Sequence, residues 1–413
     1  MSAPSRPESV SERLADLPAV RKSLIDAAFA ARARVRGVPA REYGVEDSAM
    51  THSWLFTGPP GSGRSNAAVA LAAALVCTDP EEPGCGRCED CRAVFNDSHT
   101  DVVHIVPQEL TISVKSMEQL IRDAASMPTV SPWRVVVLED ADRLSDGAAN
   151  SLLKTVEEPP PHTIIVLCAP STDPEDFSVT LRSRCRHVYV KTPSRDEITR
   201  ILVEEENASE TDAQLAASAS LRHIGRARKL VNSREAQKRR TEILNLAELV
   251  FHGDQAFQAV SKFVDPVKKQ AKEALSEIND TELKKLEASL GAGGKGKGTQ
   301  KLARGLKGQV KDLEKQQKLR ETRQVRDILD LSLLDFSSLY RDALMLSVGA
   351  DVELTHPDYR GLAADLAEKI PEAGLVQCLD AIAHCREQLG QNVPPKVAFD
   401  GMVGRIRKAA KAS

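Results

Sequence analysis

Aromatic residues are scarce in this chain, at 4% of 413 residues. The remaining apolar side chains are mostly Ala, Leu and Val, a balance that favours helices over sheets. No uninterrupted apolar stretch approaches the roughly 18 residues that a membrane-spanning helix needs, which argues against a membrane partner. The opening Met-Ser-Ala-Pro-Ser-Arg-Pro-Glu lacks the apolar core of a secretory signal, so a cytoplasmic location is expected. An excess of either charge is missing too. Fifty-six basic and 59 acidic residues leave a net charge of −3, which excludes a general nucleic-acid coat but not local basic patches.

Eight cysteines are present, and four lie close together as Cys77-x7-Cys85-x2-Cys88-x2-Cys91. In a reducing compartment such a cluster points to metal before disulfides. Thiolates hold Zn²⁺ tetrahedrally, and a C-x2-C turn lets two sulfurs reach one ion. With Pro83, Gly84 and Gly86 supplying turn chemistry, Cys77, Cys85, Cys88 and Cys91 are the expected ligands of one Zn²⁺. Four thiolates leave no open coordination position, so the ion would be structural. Free or disulfide-linked thiols are the alternative. Cys168, Cys378 and Cys385 read as ordinary core thiols, and His99 and His104 receive no role.

Helical and strand patterns alternate over the first half. An Ala-rich helix spans Ala19–Arg36, and the run Trp54-Leu55-Phe56 leads into a glycine loop and an apolar helix, Arg64–Val76. Met117, Leu120, Ile121, Ala124 and Ala125 give a buried helix face within Val114–Ser126. Arg134–Leu138 and Thr163–Leu167 are continuous apolar runs of the kind found in parallel strands buried on both faces. Between them, Ser145 can cap a helix that ends near Val156, before Pro159-Pro160-Pro161. This pattern predicts a parallel α/β sheet with flanking helices, closing near Val190.

From Ser194 onward no strand is expected. Ser194–Glu205 and Asp212–Asn232 suggest a small helical domain, and a longer helical domain begins near Arg239. The Gly/Lys-rich stretch 291–298 reads as a flexible loop within it. Leu329, Leu333, Phe336, Tyr340 and Ala343 form one stripe on a helix spanning Val325–Leu346. The expected domains are 1–190, 191–238 and 239–413.

Gly58-Pro59-Pro60-Gly61-Ser62-Gly63-Arg64-Ser65 matches the phosphate-binding loop except at one place. Gly58, Gly61 and Gly63 would let backbone N–H groups wrap phosphates at the helix N-terminus. Arg64 stands where a lysine should touch the outer phosphates, and its longer planar fork does not substitute for a compact ammonium. Glu139-Asp140 ends the next strand, where such motors usually carry Asp-Glu to hold Mg²⁺ and orient water. Reversal displaces each carboxylate by about 1.5 Å, and a ~1 Å misplacement can cost about 100-fold in rate. The group Gly58, Gly61, Gly63, Arg64, Ser65, Glu139 and Asp140 is therefore a degenerate nucleotide site, and whether ATP and Mg²⁺ still bind is open. A plain strand cap in which the carboxylates pair with Arg143 is the simpler alternative. Arg182-Ser183-Arg184-Cys185 follows what looks like the last strand of this domain. An arginine there could reach a neighbour's γ-phosphate, although the tripeptide alone reads more readily as a solvated basic turn.

Taken in order, several motifs carry a family resemblance. They are Thr51–Gly61, the four-cysteine cluster, Ser98-His99-Thr100-Asp101-Val102, Glu139–Leu144, Asn150–Pro160 and Arg182–Cys185. Over Thr51–Arg186 the chain resembles the bacterial DNA polymerase III clamp-loader family, of AAA+ type, and within it the delta-prime branch. A weaker likeness touches Asn392–Lys396. The resemblance implies an AAA+ P-loop core, a helical lid and a helical collar. It implies assembly with ATPase (gamma/tau) and delta subunits, which together open a sliding clamp and place it on primed DNA. It assigns Cys77, Cys85, Cys88 and Cys91 to zinc, and it makes Arg184 an arginine finger acting in trans on an adjacent subunit's ATP site. Arg64 departs from the ATPase branch. Gly225 falls where that branch senses nucleotide with an arginine, so Arg226 is not assigned to the site. The competing reading is a motor ATPase that works with its atypical loop.

Overall fold

The computed structural model describes residues 9–107, 111–289, 299–391 and 393–411. The expected loop at 291–298 and Asn392 lie outside them. The described chain divides into two compact units that meet between Asn232 and Ser233.

In the first unit, α1 (Val10–Arg13) and α2 (Pro18–Arg36) precede β1 (Ser53–Thr57), α3 (Arg64–Val76) and α4 (Glu89–Phe95). Then come β2 (Val102–Ile105), α5 (Val114–Ala124), β3 (Arg134–Leu138), α6 (Asp146–Glu157) and β4 (Thr163–Ala169). After these follow α7 (Val179–Arg182), β5 (Arg186–Tyr189), α8 (Arg195–Glu206), α9 (Glu210–Ala219) and α10 (Ile224–Asn232). The five strands form one parallel sheet in the order β2-β3-β4-β1-β5.

Alternate side chains of the apolar strands supply two separate cores. Trp54, Phe56, Val135, Val137, Ile164 and Val166 pack on one face with α2 and α3. Leu55, Val136, Leu138, Ile165 and Leu167 pack on the other with α5 and α6. This double burial is why the strands read as unbroken apolar runs. Ser145 caps α6 and Ser194 caps α8 through their hydroxyls, as their positions suggest. Ala125 departs from its expected place on the buried face of α5, because the helix ends one residue earlier and leaves it exposed.

One further expectation is corrected. Arg182–Cys185 does not follow the last strand: β5 comes after it, pairs with β1, and forms an edge. Its Arg186, His187 and Tyr189 are exposed, so no apolar run marked it in the sequence. The helical stretch 212–232 consists of two helices, α9 and α10. Leu221 and Arg222, with φ of 53° and 64°, break the chain between α9 and α10. Helices α8, α9 and α10 enclose a small core of their own, built on Ile198, Leu202, Ala213 and Ala227.

The second unit is helical throughout its described length. It contains α11 (Arg234–Leu249), α12 (Gln255–Ser289), α13 (Thr299–Ser347), α14 (Arg360–Lys369), α15 (Glu372–Gly390) and α16 (Pro395–Ala409). The stripe Leu329, Leu333, Phe336, Tyr340 and Ala343 is fully buried on α13. That helix begins well before Val325, at Thr299, where Leu302, Leu306, Val310 and Leu313 also recur at helical spacing.

A buried polar knot ties α13 to the segment before α14. Asp342, with no exposed surface, accepts hydrogen bonds from the N–H groups of Thr355 (3.1 Å) and His356 (2.8 Å). Arg240 of α11 donates to both carboxylate oxygens of Asp358, at 2.7 and 2.6 Å. Asp342→Ala would strand two buried donors. We expect it to lower the unfolding free energy by about 2–4 kcal/mol in urea titration, with Asp342→Asn recovering part of the loss. No helix among the described residues is long and apolar enough to cross a membrane.

Candidate functional site

The glycine loop sits where β1 ends and α3 begins, at the carboxyl edge of the sheet where open α/β folds take ligands. Gly61 and Gly63 both have φ of +87°, which side chains avoid. A Cβ on Gly61 would also lie 2.4 Å from the ring of His223, at the start of α10. The end of β3 brings Glu139 and Asp140 to the same edge, so every residue of the expected nucleotide group is assembled.

The way they are used differs from a phosphate cradle. Arg64 turns back on its own loop, where Nη1 donates to the carbonyl of Gly58 at 2.8 Å. Its Nη2 lies 3.7 Å from Asp140, which also pairs with Arg143 at 3.5 Å. The Ser65 hydroxyl donates to Glu139 Oε2 at 2.8 Å. His104 Nε2 meets the other oxygen of Glu139 at 2.7 Å. The hydroxyl and the carboxylate that would hold Mg²⁺ therefore satisfy each other. The cavity beside the loop, bordered by Gly61, Ser62, Gly63, Asn66, Leu17 and Ile224, has a volume of about 90 Å³. Sites for drug-sized ligands run to roughly 300–1,000 Å³. As arranged, Arg64, Ser65 and Glu139 are each engaged with other protein atoms.

His104 has no role legible in the sequence. Only the β2–β3 register, which sets Ile105 beside Leu138, brings it to Glu139. Its hydrogen bond to Glu139 raises the imidazole's pKa, and burial partly opposes this. Burial would raise the Glu139 carboxyl, but the bonds from His104 and Ser65 prevail and lower it. A raised histidine stabilises the fold below its ordinary pKa and loses that contribution as pH climbs through the raised value. A lowered carboxyl contributes above its ordinary value and loses it as pH falls. The pair is thus strongest in mildly acidic solution. His104→Gln is expected to flatten the fall in thermal midpoint between about pH 6 and 8 that the native chain shows.

The four cysteines converge. All four sulfurs lie within 4.8 Å of one another. Cys77 Sγ is 3.7 Å from Cys85 Sγ and 3.9 Å from Cys88 Sγ. A tetrahedron of sulfurs at about 2.3 Å from zinc has edges of about 3.8 Å, so the cluster fits the ion. The N–H groups of Cys88 and Cys91 donate to the sulfurs of Cys85 and Cys88, at 3.4 Å each. The Cys91 thiol draws Cys77 down to about 4 and is itself pushed up. Cys77 ends α3, and the Gly84 carbonyl accepts the Val10 N–H at 2.8 Å. A metal here would join α1, α3 and α4.

Arg184 stands apart from the glycine loop. It is exposed; its Nε donates to Glu157, and its Nη1 donates to the Thr180 carbonyl at 2.9 Å. Its Nη2 has no partner among the described residues.

Asp101 of the Ser-His-Thr-Asp-Val stretch is fully buried and structural. It accepts the N–H groups of Thr129 (2.8 Å), Val130 (2.7 Å) and Ser131 (2.8 Å). Burial opposes its ionisation, but these donors prevail and hold it at about 2.

Comparison with known proteins gives two family matches. Residues 42–194 match the family described as DNA polymerase III, delta subunit. Residues 316–396 match DNA polymerase III, delta subunit, C terminal. The Escherichia coli (strain K12) DNA polymerase III subunit delta' is 33% identical over 207 residues, 49% of this chain and 61% of that protein. The Bacillus subtilis (strain 168) DNA polymerase III subunit tau is 34% identical over 146 residues, 34% of this chain and 25% of that protein. The Haemophilus influenzae subunit tau/gamma is 30% identical over 166 residues, 40% of this chain and 24% of that protein. The chain thus spans at most 61% of the length of these relatives.

Proposed function

We propose that this chain, which matches two DNA polymerase III delta-subunit families and resembles delta' relatives, is a non-hydrolysing clamp-loader subunit of delta-prime type. In this role it joins gamma/tau ATPase and delta subunits and helps place a sliding clamp on primed DNA. It supplies Arg184 to the ATP site of the adjacent ATPase. Helices α8–α10 act as the lid of the first unit, and the second unit is the collar that holds the assembly together. The four cysteines hold a structural zinc that keeps α1, α3 and α4 in place.

The observation that carries this reading is the closed glycine loop. Arg64 binds the Gly58 carbonyl, and Ser65 is taken by Glu139. With the Arg64 guanidinium and the Ser65 hydroxyl taken by protein atoms, the loop is poorly set to hold a triphosphate with Mg²⁺, which supports a contribution to ATP chemistry made elsewhere. Arg184 has the properties such a contribution needs. It is charged at all pH values, exposed, and anchored by two of its three nitrogens. An arginine of this kind stabilises charge on a transferring phosphoryl group without any nucleotide of its own.

Similarity to the tau relatives keeps the motor reading as the competitor, since Ser65, Glu139 and Asp140 are all present. Reconstitution separates the family role from an unrelated one. Mixed with the gamma/tau and delta subunits, the chain should elute as one discrete complex. Failure to co-assemble would refute the proposed role.

A further inference from the structure

The proposed function leaves the first half of α13 unused. Between 299 and 326 the sequence holds nine Lys or Arg against three Asp or Glu, a net charge of +6 in a chain whose total is −3. The remainder therefore sums to −9, although it includes a second basic stretch at 222–240, where Arg228 and Arg240 are ion-paired.

Spacing arranges these charges further. Lys311, Lys315 and Lys318 follow one another at four and three residues, which puts them on one side of α13. The sequence before them, Lys301, Arg304 and Lys307, continues the same spacing. At 100° per residue, all six positions fall within an arc of about 120°. Asp312, Glu314 and Glu321 fall outside it. The adjoining side of α13 is occupied by α12, where Arg320 pairs with Glu282 at 2.9 Å and Gln317 donates to the Asn279 carbonyl at 3.0 Å. Lys311, Lys315 and Lys318 are exposed and have no ion-pair partner among the described residues. An ordinary solvated helix face mixes the two signs, because like charges three and four residues apart weaken a helix. Within the arc only one sign is kept, with Asp312 and Glu314 about 20° beyond its two edges.

We infer that this stripe of α13 is a docking surface for the phosphate backbone of duplex DNA. From Lys311 to Lys318 the helix rises about 11 Å and carries three exposed cations on one side. Duplex DNA carries one negative charge per about 1.7 Å of axis, so a straight basic rod can release several counterions along it. The contact reads no bases: lysines on phosphates position a protein and carry no sequence information. The choice of duplex DNA as the polyanion rests on the proposed function; the surface itself does not.

The test measures binding of the full chain to a fluorescent 30-base-pair duplex over a range of salt. The native chain is compared with Lys311→Gln/Lys315→Gln/Lys318→Gln and with Lys268→Gln/Lys269→Gln/Lys272→Gln, which removes equal charge from exposed positions of α12. The α13 variant should bind about tenfold more weakly near 0.1 M salt, and its log–log salt slope should shrink by roughly 2–3. The α12 variant should match the native chain. Equal losses in both variants would reduce the effect to net charge and overturn the inference, as would an unchanged slope. Stripe-dependent binding to phosphatidylserine vesicles with no change in duplex binding would assign the surface to membranes, and also overturn it. Co-assembly with the other subunits is scored separately, so failure of the clamp-loader reading is distinguishable from failure of this one.

Discussion

Replacing Arg184 by Ala is expected to leave the complex assembled and to slow ATP hydrolysis at the adjacent subunit's site by three to five orders of magnitude. That is the usual contribution of an arginine finger, about 10³–10⁵ in rate. The side chain is exposed and packs against no core, so folding and the elution of the mixed complex should not change. With one of several ATP sites silenced, total turnover falls only in part. The informative measurement is single-turnover hydrolysis, in which the burst loses the equivalent of that one site. Arg184→Lys should fail to rescue it, because an ammonium cannot span two phosphate oxygens as a guanidinium fork does. A native burst in the Ala variant would leave Arg184 as a surface residue paired with Glu157.

Loss of the metal should have the second-largest effect. Native protein purified without chelator is expected to carry one zinc per chain, and Cys85→Ser to carry none. The sulfur separations of 3.7 and 3.9 Å leave little slack for a longer or shorter ligand. Without the ion, four crowded thiols and two left-handed glycines, Gly84 and Gly86, hold the 77–91 loop only weakly. A loss of about 4 kcal/mol, modest for a structural zinc, would lower the thermal midpoint by about 10 °C in a domain of this size. Faster amide exchange should spread beyond the loop to α1, because the Val10 N–H bonds the Gly84 carbonyl. Elemental analysis showing no zinc in native protein would contradict this.

Features carried by local chemistry were legible in the sequence. Glycines at φ of +87°, doubly buried strands, serine caps and the stripe on α13 each leave a pattern within a few residues. The cysteine cluster was legible for the same reason, since its short spacings already bring the ligands together. What was missed depends on distant pairing. β5 is an edge strand with three exposed side chains, so its apolar signal is weak. His104 acquires meaning only when β2 lies beside β3, and His223 only when its turn covers Gly61. The direction of Arg64 was not readable either. Its identity signalled a damaged phosphate site, but its bond to the Gly58 carbonyl depends on the loop's own fold.

The central claim is that this chain lends an arginine to a neighbour while its own loop stays closed. Steady-state ATP hydrolysis by the purified chain, with Mg²⁺ and no other subunit, tests it most directly. No turnover above the buffer blank is predicted. Mg²⁺-dependent hydrolysis that disappears in Gly63→Val would contradict the account and make the chain a motor.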